Sequence, residues 1–205
     1  PNIAAFEREW SLESMEFRAW VALHETIHAF QMGRPWAHPH ASALIREVAE
    51  NMEFDLAGIE ERLAGLDLSD PEKLSEALGG GDLFGQTTDP EQRLRVRRLQ
   101  ALMIAAEGHA DHVLSVLGPR MLSSFARIDE ALRRHHEERS EDERAIERML
   151  AIDMRAEHYG LGRRFCDQVA SQADERTLAR MWESPESLPS MPELEEPTLW
   201  LSRMA

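Results

Sequence analysis

His24, Glu25 and His28 stand in the order HExxH, within His24-Glu25-Thr26-Ile27-His28. On a helix, residues at i and i+4 project from one face, so the two imidazoles can share one cation while Glu25 leans over the same cleft. A zinc ion held there would lower the pKa of a bound water towards about 7, and the carboxylate could accept the proton released. Such chemistry points to a metal-dependent hydrolase. The same pentapeptide would also suit a core helix carrying two hydrogen-bonded histidines and one solvated glutamate.

A catalytic zinc usually takes three protein ligands and leaves a fourth position open. Glu107 is the leading third ligand. It lies in Ala105-Ala106-Glu107-Gly108-His109-Ala110-Asp111, an ExxxD sequence inside the apolar-periodic stretch 94–117. Glu107 and Asp111 share a helical face, so the first can ligate while Asp111 accepts a hydrogen bond from a ligand histidine and fixes its tautomer. His109 competes as third ligand, and His112 is a weaker candidate. HExxH with a distant ExxxD resembles the pattern of gluzincin metallopeptidases. Here 78 residues separate His28 from Glu107, so the fold, not a short hairpin, must bring the two helices together.

The elements that must do this read as helical almost throughout, with apolar residues recurring at three and four and little or no sheet. Trp20, Val21, Leu23, Ile27 and Phe30 predict a largely buried motif helix, with Ser11 as N-cap and Gly33 with Pro35 as its stop. A second helix is expected over 39–66, with Leu44, Ile45, Val48, Met52, Leu56, Ile59 and Leu63 on one stripe. Asp70-Pro71 opens a short helix, Gly79-Gly80-Gly81-Asp82-Leu83-Phe84-Gly85 reads as a loop or lid, and Asp89-Pro90 opens the helix bearing Glu107. Gly118-Pro119 is expected to end it. Further helices follow over 121–136, after the capping-box pattern Ser140 to Glu143, and over 174–182. From Ser184 a proline-punctuated tail is expected to wrap the surface, anchored by Leu188, Met191, Leu194 and Trp200.

With 205 residues, 42% of them hydrophobic, the chain can bury a substantial core and is expected to form a single domain over 1–205. No apolar run approaches the roughly 18 residues needed to span a membrane, and no secretory leader opens the chain, so a cytoplasmic protein is expected. The one cysteine, Cys166, excludes an internal disulfide and reads as a packed thiol beside Phe165. A formal net charge of -15 argues against nucleic acid and anionic membrane as partners. The basic clusters at Arg93, Arg95, Arg97 and Arg98, and at Arg133, Arg134, His135, His136 and Arg139, are interleaved with or followed by acids and read as solvated faces.

Several segments together resemble the zincin-like metallopeptidase family. They are Pro1-Asn2-Ile3-Ala4-Ala5-Phe6-Glu7 leading into Trp20-Val21-Ala22-Leu23-His24-Glu25, then Glu107-Gly108-His109-Ala110-Asp111, then Leu150-Ala151-Ile152-Asp153-Met154 with Tyr159-Gly160-Leu161-Gly162, and finally Trp182-Glu183-Ser184-Pro185-Glu186-Ser187-Leu188-Pro189. Members of that family, mostly bacterial, often carry hydrolase labels or are described as associated with coenzyme F420 biosynthesis. The resemblance implies a mainly α zincin-like fold, His24 and His28 as metal ligands, Glu25 as catalytic base, and the segment from Glu107 to Asp111 as the remainder of the site. It also implies that residues precede Pro1, making this the C-terminal portion of a longer protein. The expectation is a zinc-dependent hydrolase acting on a peptide or small amide, with His24, His28 and Glu107 holding Zn2+ and Asp111 orienting an imidazole. His109, His112, His158 and Tyr159 are candidates for an oxyanion donor. The alternatives are a catalytically silent, metal-stabilised scaffold and a zinc hydrolase of a non-peptide amide or ester.

Overall fold

The computed structural model describes residues 2–50, 90–137 and 156–205, with side chains over 3–50, 90–135 and 160–205. Met52, Leu56, Ile59, Leu63, the Asp70-Pro71 helix, the loop from Gly79 to Gly85, the Ser140 capping box and the segment from Leu150 to Met154 lie outside the described residues. Among those described every regular element is helical, as the periodicity predicts. No helix among them is long and apolar enough to cross a membrane.

After α1 (Asn2–Glu9), α2 (Ser14–Met32) carries HExxH. Its N-cap is Glu13, not Ser11. The Glu13 carboxylate accepts from the backbone N–H groups of Met15 at 3.1 Å and Glu16 at 2.6 Å, while Ser11 takes the left-handed backbone (φ 50°) of the turn before the cap. Gly33 stops the helix as expected, its N–H donating to Ala29 O at 2.8 Å. The helix is not largely buried: only Phe17 and Gln31 are, and Phe30 is 76% exposed. Trp20, Val21, Leu23 and Ile27 are half-buried, and Met15 and Phe30 are exposed, so the apolar residues of α2 are not confined to a single buried face.

Helix α3 (Ala37–Glu50) starts two residues before Pro39 and lays Leu44 and Val48 on Leu99 and Leu102 of the long helix α4 (Pro90–Met121). Ile45, expected on the same stripe, points to solvent. Helix α4 opens at Pro90 as predicted but runs through Gly118-Pro119. Gly118 makes room for a ring, since a Cβ there would sit 2.2 Å from Phe125. Because Met121 completes α4, helix α5 spans Phe125–Glu137 and begins later than the 121 boundary predicted. The Glu16 carboxylate ties the intervening turn to α2, accepting from Ser123 N at 3.2 Å, Ser123 Oγ at 2.5 Å and Ser124 N at 2.6 Å.

Helix α6 (Ala156–Gln172) packs along α4, burying Phe165, Cys166 and Val169 completely. Burial pushes the Cys166 thiol well above its ordinary pKa, with the charges of Asp167, Glu175 and Asp111 adding to the shift. Asp174 caps α7 (Glu175–Ala179) by accepting from Thr177 N at 2.7 Å, and a 3-10 turn, Arg180–Trp182, follows. After Ser184 the chain is held by the expected anchors, with Leu194 and Trp200 in the core and Leu188 and Met191 packed against it, and it runs in short helices. A second 3-10 turn (Pro185–Ser187) leads to α8 (Met191–Glu195) and α9 (Pro197–Met204), which bury Leu194 and Trp200 against Phe165. Trp200 Nε1 donates to Ser187 O at 2.8 Å, so the indole enters the core with its polar atom satisfied. Prolines here open short helices at their first turn, where no amide donor is missed.

Candidate metal centre

Helices α2 and α4 bring three ligand atoms to one point despite the 78 intervening residues. His24 Nε2 lies 3.5 Å from Glu107 Oε2, and His28 Nε2 lies 3.5 Å from Glu107 Oε1. One ligand atom from each residue falls within 4.8 Å of the other two. Tetrahedral zinc with bonds of about 2.0–2.1 Å separates its ligand atoms by about 3.3 Å, so the donors present, two imidazoles and a carboxylate, fit such an ion in kind and spacing. Trp20 stacks on the His24 ring at 5.1 Å, and the His24 and His28 rings meet edge to face at 4.5 Å.

The electrostatics suit a cation. Burial raises the Glu107 carboxyl, but hydrogen bonding and charge from His24 and His28 outweigh it and hold the pKa at about 2. His28 is raised to about 9, chiefly by the Glu107 carboxylate, against the opposing effect of burial and with help from Gln31. A proton on His28 therefore balances the half-exposed Glu107 carboxylate, at the position where a metal would supply positive charge. Glu25 is 70% exposed, with Oε1 3.8 Å from His24 Nδ1, so its carboxylate borders the pair and faces solvent.

The other residues singled out by the sequence take different positions. Asp111 follows Glu107 by one turn, and burial together with the Glu107 charge pushes its carboxyl up to about 6. Among the described residues it makes no hydrogen bond to either histidine. The contact on His28 comes from Gln31, whose Oε1 lies 2.8 Å from His28 Nδ1. Gln31 Nε2 lies 3.0 Å from Ala106 O and 3.1 Å from His109 Nδ1. A polar residue three places after the second histidine, on the ligand side of the helix, was the signal available for Gln31 in the sequence.

His109 stands outside the three-ligand cluster, edge-on to Trp182 at 5.8 Å. Burial lowers its pKa to about 4, with the His112 and His28 charges adding to the effect. His112 is further removed: its Nδ1 is 2.6 Å from Asp167 Oδ1 and its Nε2 3.1 Å from Glu175 Oε1, which ties α4 to α6 and α7. The side chains of His158 and Tyr159 lie outside the described residues. Beside the metal centre, a cavity of about 230 Å3 is lined mostly by apolar groups, including Ile27, Phe30, Val113 and Trp182, with Gln31 and His109 in the same wall and Arg34 at its edge.

The family model described as zincin-like metallopeptidase matches residues 1–201. Among solved structures the chain is similar to the "Crystal structure of a putative hydrolase with a novel fold from Chloroflexus aurantiacus", with 28% sequence identity and a TM-score of 0.70. The match covers 100% of this chain and 56% of that one, so this chain spans little more than half the length of that protein. A search of the curated proteins returns no match.

Proposed function

Since the chain belongs to the zincin-like metallopeptidase family, we propose that it is a zinc-dependent hydrolase of peptide bonds, with His24, His28 and Glu107 as the ligands and Glu25 as general base. One observation carries this reading: the Nε2 atoms of His24 and His28 each lie 3.5 Å from a Glu107 oxygen, on helices that the sequence separates widely. Zinc held there would supply a Lewis acid able to polarise a carbonyl oxygen and to make water nucleophilic near neutral pH. Glu25, exposed beside His24, takes the proton that water loses and returns it to the leaving amine. The apolar cavity next to the proposed ligands suits an apolar side chain of a peptide, and among the described candidates His109, in its wall, is placed to donate to a developing oxyanion.

The reading is tested by the metal content of chelator-free protein, measured by inductively coupled plasma mass spectrometry beside a His24→Ala, His28→Ala double variant. About one zinc per chain, lost in the variant, is expected. A native protein that holds no metal and takes up none from added zinc would overturn the proposal.

A further inference from the structure

We propose that Gln31 is a positioning residue that sets the proton positions of two histidines at once, turning His28 to present a bare Nε2 to the metal site and His109 to present an N–H to the adjoining cavity. The metal half of this inference rests on the function proposed above; the His109 half does not.

The argument starts at Ala106. A side-chain amide can be built in two orientations that differ only by exchanging O and N, so its neighbours must decide between them. The Ala106 carbonyl can only accept, and the nearest amide atom lies 3.0 Å away in a buried contact. That atom must be the NH2 nitrogen, because the opposite orientation would bring two oxygens together with no proton between them. With the nitrogen held there, Oε1 faces His28 Nδ1 at 2.8 Å. An amide oxygen only accepts, so Nδ1 of His28 carries the proton. In the neutral ring Nε2 is then bare, and Nε2 is the atom 3.5 Å from Glu107.

The second amide hydrogen is directed at His109 Nδ1, 3.1 Å away. An amide nitrogen can only donate, so Nδ1 accepts through its bare lone pair and the ring proton sits on Nε2. Gln31 itself is 2% exposed and held at three points, which leaves its amide little freedom to turn. Ala106 directly precedes Glu107, so the same side chain also joins α2 to α4 at the residue next to the third ligand. Among the described residues His24 has no comparable partner, its Nδ1 lying 3.8 Å from the exposed Glu25.

The experiment is nitrogen-15 NMR of histidine-labelled protein, which distinguishes the two imidazole tautomers by chemical shift. It would be run on the metal-free protein at pH 7 and on the zinc-loaded protein, together with zinc affinity by chelator competition. Wild type should show His109 protonated on Nε2 without metal, and His28 protonated on Nδ1 with zinc. Gln31→Met, which keeps length and removes every hydrogen bond, should leave His109 as a mixture of tautomers and weaken zinc binding about 10–100-fold. Gln31→Glu keeps an acceptor for His28 and replaces the donor to His109. It should hold zinc more tightly than Gln31→Met while moving the His109 proton to Nδ1. His109 protonated on Nδ1 in wild type would overturn the inference, as would a folded Gln31→Met protein with unchanged tautomers and zinc affinity. If wild type takes up no zinc, the hydrolase reading fails, yet the His109 tautomer in metal-free protein still decides the role of Gln31. The wild-type spectrum also decides it should either variant fail to fold.

Discussion

Gly108 and Gly162 meet backbone to backbone where α4 crosses α6. A Cβ on Gly108 would lie 2.1 Å from the carbonyl carbon of Gly162, and one on Gly162 would lie 2.1 Å from Ile104 O. Both obstacles are main chain and cannot rotate away. Gly108→Ala and Gly162→Ala should therefore force the helices apart and cost about 3 kcal/mol or more, measured by urea unfolding. Because Glu107 adjoins Gly108, the first variant should also loosen the ligand cluster. A loss below about 1 kcal/mol in both would mean that the helices do not approach this closely.

Glu25→Gln separates a catalyst from a scaffold. The substitution removes the proton acceptor while leaving the three proposed ligands untouched. Once a substrate is in hand, turnover should fall about 10²–10⁴-fold with bound zinc unchanged. Undiminished turnover would remove Glu25 from the mechanism.

Zinc uptake should release protons. In the metal-free protein His28, with a pKa of about 9, carries a proton at pH 7, and a ligand imidazole must give it up. Glu107, at about 2, is already ionised and contributes nothing to this release. Zinc affinity should rise with pH by up to about tenfold per unit and level off above about pH 9. Calorimetry in buffers of different ionisation enthalpy would count the proton; a count of zero at pH 7 would contradict the charged His28.

Glu16 should make the α2–α5 junction acid-sensitive. Hydrogen bonds from Ser123 and Ser124 hold its pKa at about 2, below its ordinary 4.5. A carboxyl depressed on folding stabilises fully above its unfolded pKa and loses that contribution as pH falls through the folded value. The loss therefore falls between about pH 4.5 and 2. Glu16→Gln should flatten the fall in thermal stability across that window, and an unaltered profile would show that the capping contacts carry no charge dependence.

Cys166 should be inert in the folded protein. Its thiol is fully buried and its pKa raised, so an aromatic disulfide reagent should label it only after unfolding in urea. Rapid labelling of native protein would show that the core around Phe165 opens readily.

Much of the helical architecture was legible in local pattern. The start of α4 at Pro90, the stop of α2 at Gly33, the helix expected from about Asp174 and the buried setting of Cys166 all follow from rules that act within a few residues. The misreadings arose where a local signal served a distant contact. Gly118 looked like a helix end, but its missing Cβ accommodates Phe125; after Ser184 the anchors Leu194 and Trp200 were read correctly, while the short helices that the prolines open were not.

The sequence by itself determined which groups of the site are available, because HExxH places two imidazoles and a carboxylate on one helix whatever surrounds it. Only the tertiary structure decided which distant acid meets them. The ExxxD spacing made Glu107 the leading third ligand, but it shares a helical face with Asp111 and spacing alone brings neither to the histidines. The packing of α2 on α4 brings Glu107 to both Nε2 atoms, leaves Asp111 one turn beyond and turns Gln31 inward to His28 and His109. Contacts made across 75 or more residues depend on how whole helices pack, a property of summed burial that no short spacing encodes.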